Sequence, residues 1–100
     1  MEQTMAIGVI FEFPGATRKQ YENSVKKALK GRGKKLANWP VKGLLAHMAG
    51  PMPKGWRVVD VWQSKAAFKR FGNVLKPILK ESGMRATKPK IFSLSRFIKD

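Results

Sequence analysis

The stretch from Trp56 to Phe71, WRVVDVWQSKAAFKRF, restricts this chain more than any other segment. Seven residues alternate between two faces as a strand does, and Ser64 then opens an amphipathic helix. Upstream, MAIGVIFEFPGATRKQYENSV has the same order of strand, tight turn, N-cap and helix. Two strand-to-helix units within 100 residues predict a β-α-β-β-α-β chain folded as one domain over residues 1–100.

In the first unit, residues 5–13 place Ile7, Val9, Phe11 and Phe13 on one face, and Gly8, Ile10 and Glu12 on the other. Pro14-Gly15-Ala16 turns the chain, and Thr17 with Gln20 fits a capping box for a helix over 18–30. Tyr21, Val25, Ala28 and Leu29 form its apolar stripe, and Gly31 and Gly33 end it. A basic loop follows over 31–41, in which Trp39, held extended by Pro40, packs at the core edge. A second strand is expected over 42–49, a Gly/Pro-rich hairpin connection over 50–55, and a third strand over 56–62. Ala67, Phe68, Phe71, Leu75, Ile78 and Leu79 make the stripe of the second helix. Pro77 predicts a break in it near Gly72-Asn73, with a restart at Pro77 and an end at Gly83. Residues 84–90 read as a basic linker and 91–98 as the last strand.

The compact solution is a ferredoxin-like α+β fold, a four-stranded antiparallel sheet with both helices on one face. One sheet face is then left open. Ile10, Leu45, Trp56, Val58 and Trp62 are assigned to it, a set too apolar to leave in water. A second copy of the chain is the simplest cover, so a homodimer is expected.

Composition removes several classes of chemistry. Without cysteine there are no disulfides, thiolate nucleophiles or iron–sulfur ligands. One histidine and six acidic residues are a poor stock for a metal cage, so no metal and no cofactor are expected. The nine-residue apolar run at 5–13 has no basic segment before it and is too short to span a bilayer. The expected location is the cytoplasm, without membrane insertion.

The phrases IFEFPGATRKQYENSV, LLAHMAGPMPKGWRVVDVW and SKAAFKRF together resemble the dimeric α+β barrel superfamily, above all its small members similar to antibiotic-biosynthesis-monooxygenase domains. The resemblance covers nearly the whole chain. It implies two sheets facing each other across a two-fold axis, with a small apolar or aromatic ligand held between them. The activities it implies are cofactor-free monooxygenation, haem degradation and lactone isomerisation, or none. The haem-degrading branch carries its haem-ligating histidine on the second helix, where this chain has Phe68 and Phe71.

His47 is the only imidazole and the natural candidate for a general base. Strand alternation puts it with Leu45 and Ala49, opposite Leu44, Ala46 and Met48. Asp60, between Trp56 and Trp62, and Glu12 are placed on the same side as carboxylate partners, with the two tryptophans, Ile10, Val58 and Leu45 as walls. The alternative is that these polar groups satisfy one another across the dimer seam, with no substrate.

A second class of function follows from the net charge of +15, which attracts polyanions. A basic, non-enzymatic protein would bind nucleic acid through its lysine-rich helix faces. No K/R-G-F-G-F-V-type signature marks the strands, and the cations cluster on the helices, which disfavours specific readout. P-loops, dinucleotide fingerprints and H-E-x-x-H are absent.

Overall fold

The alternation of Ile7, Val9, Phe11 and Phe13 builds the central strand of the molecule. In a computed structural model, described for residues 6–97, β1 (Ile7–Pro14) carries all four of these side chains buried. α1 (Arg18–Leu29), β2 (Leu44–Met52), β3 (Gly55–Trp62), α2 (Lys65–Glu81) and β4 (Lys90–Ser93) follow, with a short 3-10 turn at Leu36–Asn38. Met5 and Ile98, the expected outer ends of the first and last strands, lie outside the described residues.

The strands are ordered β2-β3-β1-β4, and every neighbouring pair is antiparallel. Each helix connects two parallel strands by crossing over the one between them. This is the ferredoxin-like α+β topology that the two strand-to-helix units predict.

Local chemistry sets the element ends. The Thr17 hydroxyl accepts from the Gln20 backbone, and the Gln20 side chain accepts from the Thr17 backbone, completing the capping box. Ser64 caps α2 through the Ala67 backbone N–H. α2 ends in a Schellman turn, in which the Gly83 and Met84 N–H groups donate to the carbonyls of Lys80 and Leu79. Gly83 takes the required left-handed conformation at φ 71°, and the reversal returns Met84 to the core.

Four expectations are corrected. α2 runs unbroken through Pro77. Pro77 and Asn73, whose carbonyl loses its donor, are both exposed, so that carbonyl is open to solvent and the apolar stripe stays in register. β2 extends to Met52, leaving a two-residue turn at Pro53-Lys54. Pro51 is tolerated because β2 is an edge strand. β4 has four residues, shorter than the expected 91–98, although the Leu94 N–H still donates to the Ala6 carbonyl.

The fourth correction concerns the phase of β3. Phe13 faces Trp56, Phe11 faces Val58, Val9 faces Asp60 and Ile7 faces Trp62. Directly opposed residues project to the same side of an antiparallel pair. Trp56, Val58, Asp60 and Trp62 therefore face the helices, not the open face. Trp62 is fully buried against Phe68 and Phe71. The open face instead carries Ile10, Ala46, Met48, Val59, Val61 and Phe92. The Phe92 ring lies over Gly8, where a Cβ would run into it.

Candidate functional site

β3 delivers a carboxylate to the interior. The Asp60 side chain is 2% exposed, and burial on that scale demands hydrogen-bond partners. Two elements supply them. The Trp62 indole donates to Oδ2 at 3.3 Å, and His47 Nδ1 lies 2.6 Å from Oδ1. A carboxylate oxygen only accepts, so Nδ1 carries a proton, and in the neutral imidazole Nε2 presents its lone pair. That lone pair faces the Tyr21 hydroxyl of α1 at 2.6 Å. Tyr21, His47 and Asp60 thus form one hydrogen-bonded chain drawn from α1, β2 and β3.

A β-bulge makes this chain geometrically possible. Leu44 pairs with Trp62 and Ala46 with Val61, so Leu45 is an extra residue in β2. The bulge puts both Leu44 and His47 on the helix side. Simple alternation assigns them to opposite faces, and the expectation that Leu44 shares the side of Ala46 and Met48 is corrected accordingly.

Aromatic rings pack around the chain. Tyr21 lies nearly parallel to the imidazole, with ring centres 6.0 Å apart, and Trp56 sits 5.4 Å from Tyr21. Trp39 covers the imidazole at 4.8 Å from the loop after α1. Burial first, then the negative charges of Glu22 and Asp60, push the Tyr21 hydroxyl up to about 12. Tyr21 therefore keeps its proton at neutral pH and donates it to His47. Among the described residues, the indole N–H groups of Trp39 and Trp56 are buried without an acceptor.

Beneath Tyr21 and His47, a cavity of about 40 Å³ lies between the sheet and the two helices, bounded by Phe11, Phe13 and Val58 below and by Val25, Leu75 and Leu79 above. An outer cleft of about 240 Å³ opens on the other side of Tyr21, Val25, Trp39 and His47, with Lys34, Lys35 and Leu36 on its rim. The inner cavity has room for one or two waters. Inner cavity and cleft together approach the lower end of the roughly 300–1,000 Å³ of small-molecule sites.

The expected site residues separate into three groups. His47 and Asp60 come together as anticipated, and Trp56 and Val58 stand beside them on the helix side. Trp62 supports Asp60 from the core and does not reach the cavity wall. Glu12 and Ile10 lie on the open face, where Glu12 pairs with Arg57 at 3.0 Å, and Leu45 occupies the bulge. The cavity that His47 and Asp60 line lies inside the protomer, between the sheet and the helices. Tyr21 and Trp39 are the site residues that sequence reasoning missed, having been assigned to a core stripe and a core edge. The signal for Tyr21 is its hydroxyl, the one polar group in an otherwise apolar stripe. No group of three or more His, Cys, Asp or Glu side chains that could hold a metal ion occurs among the described residues.

Solved structures share this architecture. A cofactor-independent oxygenase from Streptomyces nogalater, SnoaB, superimposes with a TM-score of 0.65. The match covers 97% of this chain and 100% of that one at 12% identity. What the solved structures share with this chain is the fold, a four-stranded antiparallel sheet with two helices on one face. A candidate monooxygenase from Shewanella loihica PV-4 matches with a TM-score of 0.61 at 16% identity, over 96% of this chain and 100% of its own. PA3566 from Pseudomonas aeruginosa matches with a TM-score of 0.53 at 15% identity, over 98% of this chain and 100% of its own. No family model and no curated protein matches the chain. None of the described helices is long and apolar enough to cross a membrane.

Proposed function

We propose that the chain binds a small, planar phenol or enol beside Tyr21 and His47 and oxygenates it without a cofactor. The observation that carries this reading is the chain Tyr21–His47–Asp60, with two contacts of 2.6 Å, at the wall of an apolar cavity. A phenol that donates to the Tyr21 oxygen can pass its proton on, as the Tyr21 proton moves to His47 Nε2. The imidazolium so formed adjoins the Asp60 carboxylate, which stabilises the charge. The ligand is left as an electron-rich anion, able to give an electron to dioxygen. Recombination at the ring C–H carbon para to the oxygen, with the proton returned from His47, forms a hydroperoxide, and loss of water leaves a carbonyl there, so that a hydroxyarene and O₂ become a quinone and H₂O. The indole N–H groups of Trp39 and Trp56 are the kind of donors that a ligand carbonyl satisfies. Oxygenase neighbours with the same fold support the reading.

The open sheet face supports a homodimer as the working assembly, because Ile10, Met48, Val59 and Phe92 present an apolar band to solvent. Oxygen uptake with naphthols and hydroxyanthrones tests the activity. Uptake above the uncatalysed rate that His47→Ala abolishes supports it. Uptake that is unchanged in His47→Ala overturns it.

A further inference from the structure

We propose that the ligand is an aryl acid, a planar phenol carrying a carboxylate that lies at Lys34 and Lys35 while the phenol reaches Tyr21 and His47. This rests on the reading of the Tyr21–His47 site as a ligand site and adds to it the substrate class and its orientation.

The two ends of the outer cleft differ in charge. Its rim carries Lys34 and Lys35, and its inner wall is Tyr21, Trp39 and His47, with Asp60 directly behind the imidazole. Lys34 lies 2.9 Å from Glu22, whose carboxylate is also 3.9 Å from Arg18, so one negative charge serves two cations. Lys35 has no acidic partner among the described residues. Positive charge is thus in excess at the rim.

The inner end is the reverse. Asp60 is buried there. Its charge adds to the burial that keeps the proton on Tyr21. A carboxylate of the ligand placed against Tyr21 and His47 meets the same repulsion, but at the rim it meets the ammonium of Lys35, with that of Lys34 beside it and shared with Glu22. The ligand is therefore oriented by charge: the acid outward, the neutral phenol inward, and the ring between them against Trp39 and Val25.

Titration calorimetry at about 0.15 M ionic strength, with a hydroxynaphthoate and the matching naphthol, tests the inference. The hydroxynaphthoate is expected to bind about tenfold more tightly, the scale of a hydrogen bond to a charged group. That advantage should disappear in Lys34→Gln/Lys35→Gln. It should survive in Lys69→Gln/Arg70→Gln, which removes the same charge from exposed positions of α2 outside the cleft. Equal affinity for the two compounds overturns the aryl-acid inference and leaves the phenol site standing. Loss of the advantage in both double variants overturns it too, because the general positive field would then be the cause. Failure of both compounds to bind overturns this inference and the ligand-site reading together, and binding of the naphthol alone overturns this inference only.

Discussion

Leu44 and His47 project from the same side of β2 although three residues separate them, because the strand bulges at Leu45. Leu44 fills the core beneath α2 while His47 reaches Asp60, so the edge strand both seals the interior and furnishes its imidazole. Bulges re-aim side chains in this way next to functional sites. An unbulged β2 would have to give up either the apolar plug or the imidazole.

Removing the imidazole should cost stability as well as turnover. His47→Ala leaves the buried Asp60 carboxylate with the Trp62 indole as its one remaining side-chain donor among the described residues. We expect a loss of about 1–3 kcal/mol in urea unfolding, the penalty for an under-satisfied buried group. Asp60→Asn keeps the volume but can present an N–H to Nδ1, which favours the tautomer with its proton on Nε2. It should fold with a smaller loss and lower turnover by about 100-fold or more. An Asp60→Asn protein with unaltered turnover would show the pair to be structural only.

Tyr21 is the single tyrosine of the chain, which makes its ionisation readable by near-ultraviolet absorbance. Its phenol should titrate near 12, above the ordinary value of 10.0. The folded protein then holds a proton that the unfolded chain releases, so the contribution of Tyr21 to stability is constant below pH 10 and is lost from there towards pH 12. Tyr21→Phe should remove that decline and also weaken catalysis, since the ligand proton loses its carrier to His47. A titration midpoint at the ordinary value would mean that Tyr21 is solvated and outside the hydrogen-bonded chain.

The fold was legible because its signals are local and mutually consistent: a capping box at Thr17 and Gln20, Ser64 ahead of an apolar stripe, and two runs of period-two alternation. The His47–Asp60 pairing was legible for a weaker reason, since both stand mid-strand in strands joined by a short turn. The side of the sheet on which they meet was not. Within β3, Trp56, Val58, Asp60 and Trp62 face one way while Val59 and Val61 face the other, and both sets include apolar residues. Only the register against β1 decides between them, and a pairing register is long-range information. The bulge at Leu45 was equally hidden, since no glycine or proline marks it. Tyr21 escaped notice because helical spacing reveals a face but not its neighbours.

Charge gives a further expectation. Lys26, Lys27, Lys65, Lys69 and Arg70 are exposed on α1 and α2, and Lys30 is exposed at the C-terminal cap of α1. Such a surface should bind duplex DNA through phosphate contacts alone, with steep salt dependence and no sequence preference. Binding measured by fluorescence anisotropy should therefore be weak near 0.15 M ionic strength. Sequence-selective binding that persists there would favour the nucleic-acid function that the signature-free strands disfavour.

The two valines at the centre of β3 separate folding from assembly. Val58 is 5% exposed and packs in the core opposite Phe11, whereas Val59 pairs with Ile10 and Met48 on the open face. An acidic side chain at Val58 would be buried without a partner, a change that costs several kcal/mol and should leave the protomer unfolded. At Val59 the same charge touches the apolar band but not the core. Val59→Glu should keep its far-ultraviolet circular dichroism and run in light scattering at the 11.3 kDa of one chain. The unaltered protein should run at twice that mass if Ile10, Met48, Val59 and Phe92 form the dimer seam. A monomeric unaltered protein would remove the seam, and a Val59→Glu protein that stays dimeric would place it elsewhere.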